Sequence, residues 1–162
     1  DSPVPDYAPW MTANLTLGVP LSQHWDNVLR DSRSLGYVVA THQSLHPVPG
    51  PSVITYYQPL DALPPAEART AALAKSYDAW CTDILADLSR PHPDLGKHLR
   101  HLDVWLWGHA MPRPVPGALW GPDRLARRAP LGKVHFAHTD LSGLSIFEEA
   151  CHWGHEAARA LS

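Results

Sequence analysis

GKVHFAHTDLSGLSIFEEACHWGHEAARAL, residues Gly132 to Leu161, is the stretch on which the reading turns. Val134, Phe136 and Ala137 make a short apolar run suited to a strand. His138-Thr139-Asp140 is a polar turn, Ser142-Gly143 a small-residue loop, and a strong helical segment begins near Ser145. Strand, loop and helix start follow one another in that order. Such an arrangement brings free backbone N–H groups and the positive end of a helix dipole to an electron-rich ligand. On physical grounds alone the stretch could serve as a cofactor-facing edge, and the pattern says no more than that.

Upstream, the pattern predicts a sheet. Trp10 to Leu17 alternates, with Met11, Ala13, Leu15 and Leu17 on one face and Trp10, Thr12, Asn14 and Thr16 on the other. Trp25 to Arg30 and Gly36 to His42 flank Asp31-Ser32-Arg33-Ser34, which predicts a hairpin with a loop of about four to five residues. Ser52 to Tyr57 is a β-branched and aromatic run between prolines. From Ala66 to Leu88 the period changes, with Leu73, Tyr77, Trp80, Ile84 and Leu88 at three- and four-residue steps, and one long helix is expected after Pro65. His101 to Met111 reads as a strand with His101, Asp103, Trp105, Trp107 and His109 along one side. A proline-rich loop from Pro112 to Pro130 leads into the C-terminal stretch.

The chain has 162 residues, 44% apolar and 18% charged, which is a globular composition. Its 17 prolines, against a usual frequency of about 5%, predict many rigid loops. A formal charge of −3 and no basic run beyond Arg124, Arg127 and Arg128 argue against nucleic acid as a partner. No apolar run reaches the roughly 18 residues that span a bilayer, and no membrane partner is expected. Cys81 and Cys151 both fall in expected helices and do not suggest a disulfide framework. The expected location is the cytoplasm.

Phe136-Ala137, Asp140, Ser142-Gly143, Ala150, Gly154 and Ala157-Ala158 together resemble the C-terminal flavin-binding segment of FAD-dependent amine oxidases and related oxidoreductases. Tyr7-Ala8-Pro9-Trp10, Trp25-Asp26-Asn27 and Trp107-Gly108-His109-Ala110-Met111 resemble a bacterial subgroup of the same family. This sequence departs from the family pattern at His138, where a glycine is usual, and at Ser145-Ile146-Phe147-Glu148, where a Gly-Thr pair opens the helix. The resemblance implies FAD as cofactor, with Asp140 at the ribityl–phosphate region and the backbone around Ile146 and Phe147 at the pyrimidine edge of the isoalloxazine. His138 would lie beside the cofactor.

It further implies an α+β fold: a mixed or antiparallel substrate-domain sheet with one long helix, and a C-terminal strand–helix that completes an FAD-binding domain. Residues 1–128 would supply the substrate-side wall and residues 129–162 the flavin-side edge. The chain carries no Gly-x-Gly-x-x-Gly fingerprint and begins with Asp1, so the Rossmann unit is expected from a missing N-terminal part or a partner chain, in a hetero-oligomer. The chain by itself is not expected to be active. The substrate would be a small molecule such as an amine.

Each candidate has a plainer reading beside the functional one. Asp140 is a ribityl ligand or a turn aspartate accepting backbone N–H bonds. His109 orients substrate or relays a proton, as the catalytic candidate, or is a hydrogen-bonded, half-buried histidine. Trp105 and Trp107 wall a substrate cavity or fill the core. His138 replaces the small family residue against the cofactor or points to solvent, and His42, at a strand end, is similar. Glu149, His152, His155 and Glu156 include a Glu-x-x-His step, but no second such step exists, and a solvated helix face accounts for them. No metal is expected. A flavin-free structural subunit of the same fold is the alternative to the flavoenzyme reading.

Overall fold

The computed structural model describes residues 6–21, 24–40 and 50–161; the candidate His42 lies outside them. The fold is α+β. Five strands, β1 (Tyr7–Leu17), β2 (Asp26–Val28), β3 (Gly36–Val39), β4 (Ser52–Pro59) and β5 (Leu99–Pro112), form one antiparallel sheet in the order β2-β3-β4-β1-β5. Among the described residues the helices are α1 (Pro65–Ala74), α2 (Tyr77–Leu88), α3 (Leu95–His98), α4 (Pro122–Ala126) and α5 (Phe147–Ala160). None is long and apolar enough to cross a membrane. The chain divides into two compact units, residues 9–108 and residues 109–161 together with 6–8. The division expected at residues 128 and 129 falls inside the second.

In the first unit the strand alternation does what the sequence implies. Met11, Ala13, Leu15 and Leu17 of β1 are buried, and β1 pairs with β4 so that Leu15 lies opposite Ile54 and Ala13 opposite Tyr56. Trp80, Ile84 and Leu88 of α2 complete this core with Tyr37 and Val39 of β3. The other sheet face carries Thr12, Asn14, Thr55 and Tyr57, joined by a Thr55 hydroxyl donating to Asn14 Oδ1 at 2.8 Å.

The long helix expected over residues 66–88 is two helices. Lys75 is extended and Ser76 caps α2, its Oγ accepting the Ala79 N–H at 3.2 Å. The break rotates the apolar stripe, so Leu73 is exposed while Ala68 and Ala72 face inward. The hairpin loop is also longer than expected, running from Leu29 to Leu35, because β2 pairs only Asp26–Val28 with Gly36–Val38.

A polar knot ties that loop to α2. Asp87 Oδ2 accepts the hydroxyls of Ser32 at 2.6 Å, Tyr56 at 2.9 Å and Ser34 at 3.1 Å, and Oδ1 accepts Arg90 Nη1 at 3.2 Å. Burial, with the negative charge and acceptor of Asp87 adding to it, pushes the Tyr56 phenol up to about 12. A folded-state value above the unfolded one gives stability that is complete below about pH 10 and lost as pH rises through about 12. Alkaline titration should therefore show stability falling by about 2–3 kcal/mol over that window, and Tyr56→Phe should flatten the slope. Urea unfolding at stepped pH measures it; equal slopes in both proteins would contradict the assignment.

The second unit is built differently. Among its described apolar side chains only Leu141 is buried. The strand expected at Val134–Ala137 is absent. Leu131 and Val134 exchange N–H···O bonds of 2.9 and 3.0 Å across Gly132, whose φ of +60° closes a tight turn, and Phe136 lies exposed. A strand needs a neighbouring edge to satisfy its backbone, and no described strand pairs with this run.

Candidate functional site

Asp140 sits on a 3₁₀ turn, Thr139–Leu141, packed against both α4 and α5. Leu141 anchors the turn: its side chain is buried and its carbonyl accepts Arg124 Nη1 at 3.0 Å and Arg128 Nε at 3.1 Å. On the exit side the Ser142 and Gly143 N–H groups both reach the Thr139 carbonyl, at 3.0 and 2.9 Å. Gly143 has φ +75°, and a Cβ there would lie 3.1 Å from Leu119 Cδ2. The loop therefore needs its glycine.

The Asp140 carboxylate has one side-chain donor and one close imidazole neighbour. Tyr7 donates its hydroxyl to Asp140 Oδ2. His138 Nδ1 accepts the Asp140 backbone N–H at 3.2 Å and lies 3.0 Å from Oδ1. With its Nδ1 lone pair so engaged, His138 offers no proton to Oδ1 from that nitrogen, and the buried Oδ1 has no hydrogen bond. An acceptor left in that state costs about 1–3 kcal/mol, which a donor brought by a ligand would relieve. Burial first, and then the Asp140 hydrogen bond and charge, push the Tyr7 phenol up to about 12. Tyr7 is thus a proton-bearing donor and not a base.

On its other side the Tyr7 ring meets His109 edge-on, with centroids 5.8 Å apart and planes at 76°. His109, Tyr7, Asp140 and His138 form one connected row, which links three of the sequence candidates through a residue not among them. The signal that could have found Tyr7 is its place in Tyr7-Ala8-Pro9-Trp10. Ile146 is the N-cap of α5 and Phe147 its first residue; no side chain caps the helix, leaving first-turn N–H groups for another acceptor. Glu148 and Glu149 share that first turn, as the helix dipole favours. Phe147 is 81% exposed.

Trp105 and Trp107 belong to the other unit. Their rings stack at 6.5 Å and 22°, and Trp107 Nε1 donates to Thr12 Oγ1 at 2.9 Å. With 54% and 52% exposure they are not core residues. His152, His155 and Glu156 lie on the exposed surface of α5, and among the described residues no cluster of histidine, cysteine and carboxylate groups has metal-ligating geometry. Cys81 and Cys151 are free.

No family model and no curated protein matches this chain.

Proposed function

We propose that this chain is the C-terminal part, or a subunit, of an FAD-dependent oxidoreductase of the amine-oxidase type. The observation that carries the reading is α5. Phe147, Ala150, Cys151, Gly154, Ala158 and Leu161 recur at helical steps along one face, and all are exposed. A helix of 14 residues with no buried side chain gains little from its own unit and is stable when that apolar face is covered. The small residues Ala150, Gly154 and Ala158 suit close approach by another backbone, as a Rossmann unit on this or another polypeptide would provide. The backbone of His135 and Phe136, which no described strand pairs, fits the same docking.

The donor set also fits a flavin. FAD would supply two-electron chemistry, taking a hydride equivalent from a C–H beside nitrogen. Asp140, with an acceptor oxygen lacking a donor, would take a ribityl hydroxyl, and Tyr7 would hold the carboxylate in place. The first-turn N–H groups after Ile146 would serve the pyrimidine edge, with His138 alongside. His109 would orient a small substrate such as an amine. A flavin-free structural subunit is the second reading, favoured by one observation: Glu148 and Glu149 bring negative charge to the helix start that would face an electron-rich ring.

Flavin content decides between them. The assembled protein should retain FAD and its visible absorbance through gel filtration. Asp140→Ala should weaken FAD affinity by about tenfold to a hundredfold, the worth of one hydrogen bond to a charged acceptor, with the circular dichroism unchanged. Equal flavin retention in the variant, or a colourless wild-type assembly, would leave the structural reading standing.

A further inference from the structure

The second unit holds a cavity of about 400 Å³ walled by Arg113, Arg124, Arg127, Gly117, Gly121 and Gly143. We propose that this cavity binds a small oxyanion of the phosphate class. Arg124 is the centre of the argument. It is only 5% exposed, and its Nε and Nη1 donate to the carbonyls of Leu119 and Leu141. Among the described residues no carboxylate lies within ion-pair distance of it. Carbonyl dipoles solvate a guanidinium without neutralising it, and a buried charge calls for a counter-charge. Its surroundings make that need greater. Burial first, and then the like charges of Arg128 and Arg127, lower its hold on the proton, against the attraction of Glu149.

Two carboxylates line the same cavity, Asp6 and Asp123. Asp6 is already paired with Arg113, Oδ2 to Nη1, at 2.7 Å. Asp6 thus balances Arg113, and the other carboxylate of the wall, Asp123, makes no ion pair with Arg124. Planar guanidinium forks match the oxygens of a phosphate in pairs, which ammonium groups do not. The walls are stiff: Pro112, Pro116 and Pro122 fix the backbone around the arginines. Gly121 cannot carry a side chain, because a Cβ there would lie 2.3 Å from the Gly117 carbonyl oxygen. A preformed pocket of this kind loses little order on binding. The inference does not depend on the flavin reading.

Calorimetric titration of the 162-residue chain with inorganic phosphate tests it. Saturable binding at one site is expected, weakening as chloride is raised. Arg113→Gln and Arg127→Gln should each weaken it about tenfold, by loss of one charge-assisted contact. Arg124→Gln should abolish it, and should that variant fail to fold, the other two still decide. If Arg124 is merely a brace between Leu119 and Leu141, the wild type will give no saturable heat, which overturns the proposal. Unchanged affinity in both Arg113→Gln and Arg127→Gln, or acetate binding as tightly as phosphate, would overturn it as well. Titration with ADP separates the sources. Binding over about tenfold tighter than phosphate assigns the site to a nucleotide's phosphates, and equal binding assigns it to the free anion.

Discussion

Asp87→Ala should cost about 3–5 kcal/mol, the range for stripping the charged partner from a hydrogen-bonded, largely buried group. The substitution removes the acceptor of three hydroxyls at once, those of Ser32, Ser34 and Tyr56. Ser34 and Tyr56 are themselves buried, so water cannot simply take the place of the carboxylate. Arg90 would keep the carbonyls of Arg30 and Asp31, at 2.9 and 3.0 Å, and so the β2–β3 loop would not be wholly released. Domains of this size are stable by only about 5–15 kcal/mol, and the loss should show as a large drop in the urea midpoint. Asp87→Asn, which keeps an acceptor oxygen, should recover part of it. A loss under about 1 kcal/mol for the alanine variant would mean that the hydroxyls find other partners.

Gly36→Ala is the second large effect. Gly36 opens β3 with φ +126°, a conformation closed to L side chains, and its pairing with Val28 leaves no room. An added Cβ would fall 1.9 Å from the Asn27 carbonyl oxygen and 3.1 Å from Val28 Cα, both backbone atoms. Neither can turn aside as a flexible side chain would. The hairpin must open, and a cost of about 3 kcal/mol or more is expected from strain and lost pairing together. Amide hydrogen exchange should quicken at Asp26–Val28 first, while β1 and β4, whose pairing does not involve this residue, keep their protection. Uniform loss of protection across β1 and β4 would instead mean that the edge hairpin nucleates the whole sheet.

The legible parts of the fold were those in which a residue's own neighbours decide its environment. β1 shows this best: alternation from Trp10 to Leu17 named the buried face residue by residue, since each side chain in a strand has one of two directions. The helices were legible as apolar stripes but not as two pieces. Ser76 was the available sign, an N-cap residue three before the Ala79 N–H, and the regular spacing of Leu73, Tyr77 and Trp80 masked it. Val134–Ala137 failed for the opposite reason. Its apolar spacing is that of a strand, but a strand also requires an edge to pair with, and spacing carries no information about that edge.

At the site, Asp140 and His138 are two positions apart in sequence and their nearness was expected. That His109 joins them is a long-range fact carried by Tyr7, which no local pattern announces.

Tyr7 and Asp140 are 133 positions apart, and Asp6 and Arg113 are 107 apart. Between these partners runs the whole of the other unit, residues 9–108. During synthesis, then, the short segment at residues 6–8 emerges well before its partners and must wait. The sheet core around Leu15 and Ile54 can collapse long before Asp140 leaves the ribosome, because all its partners lie within residues 9–108. Closing the second unit is a late, high-contact-order event, and the segment that waits for it spends that interval without its partners. The residues that gather the candidate site thus meet only after the whole of residues 9–108 has been made.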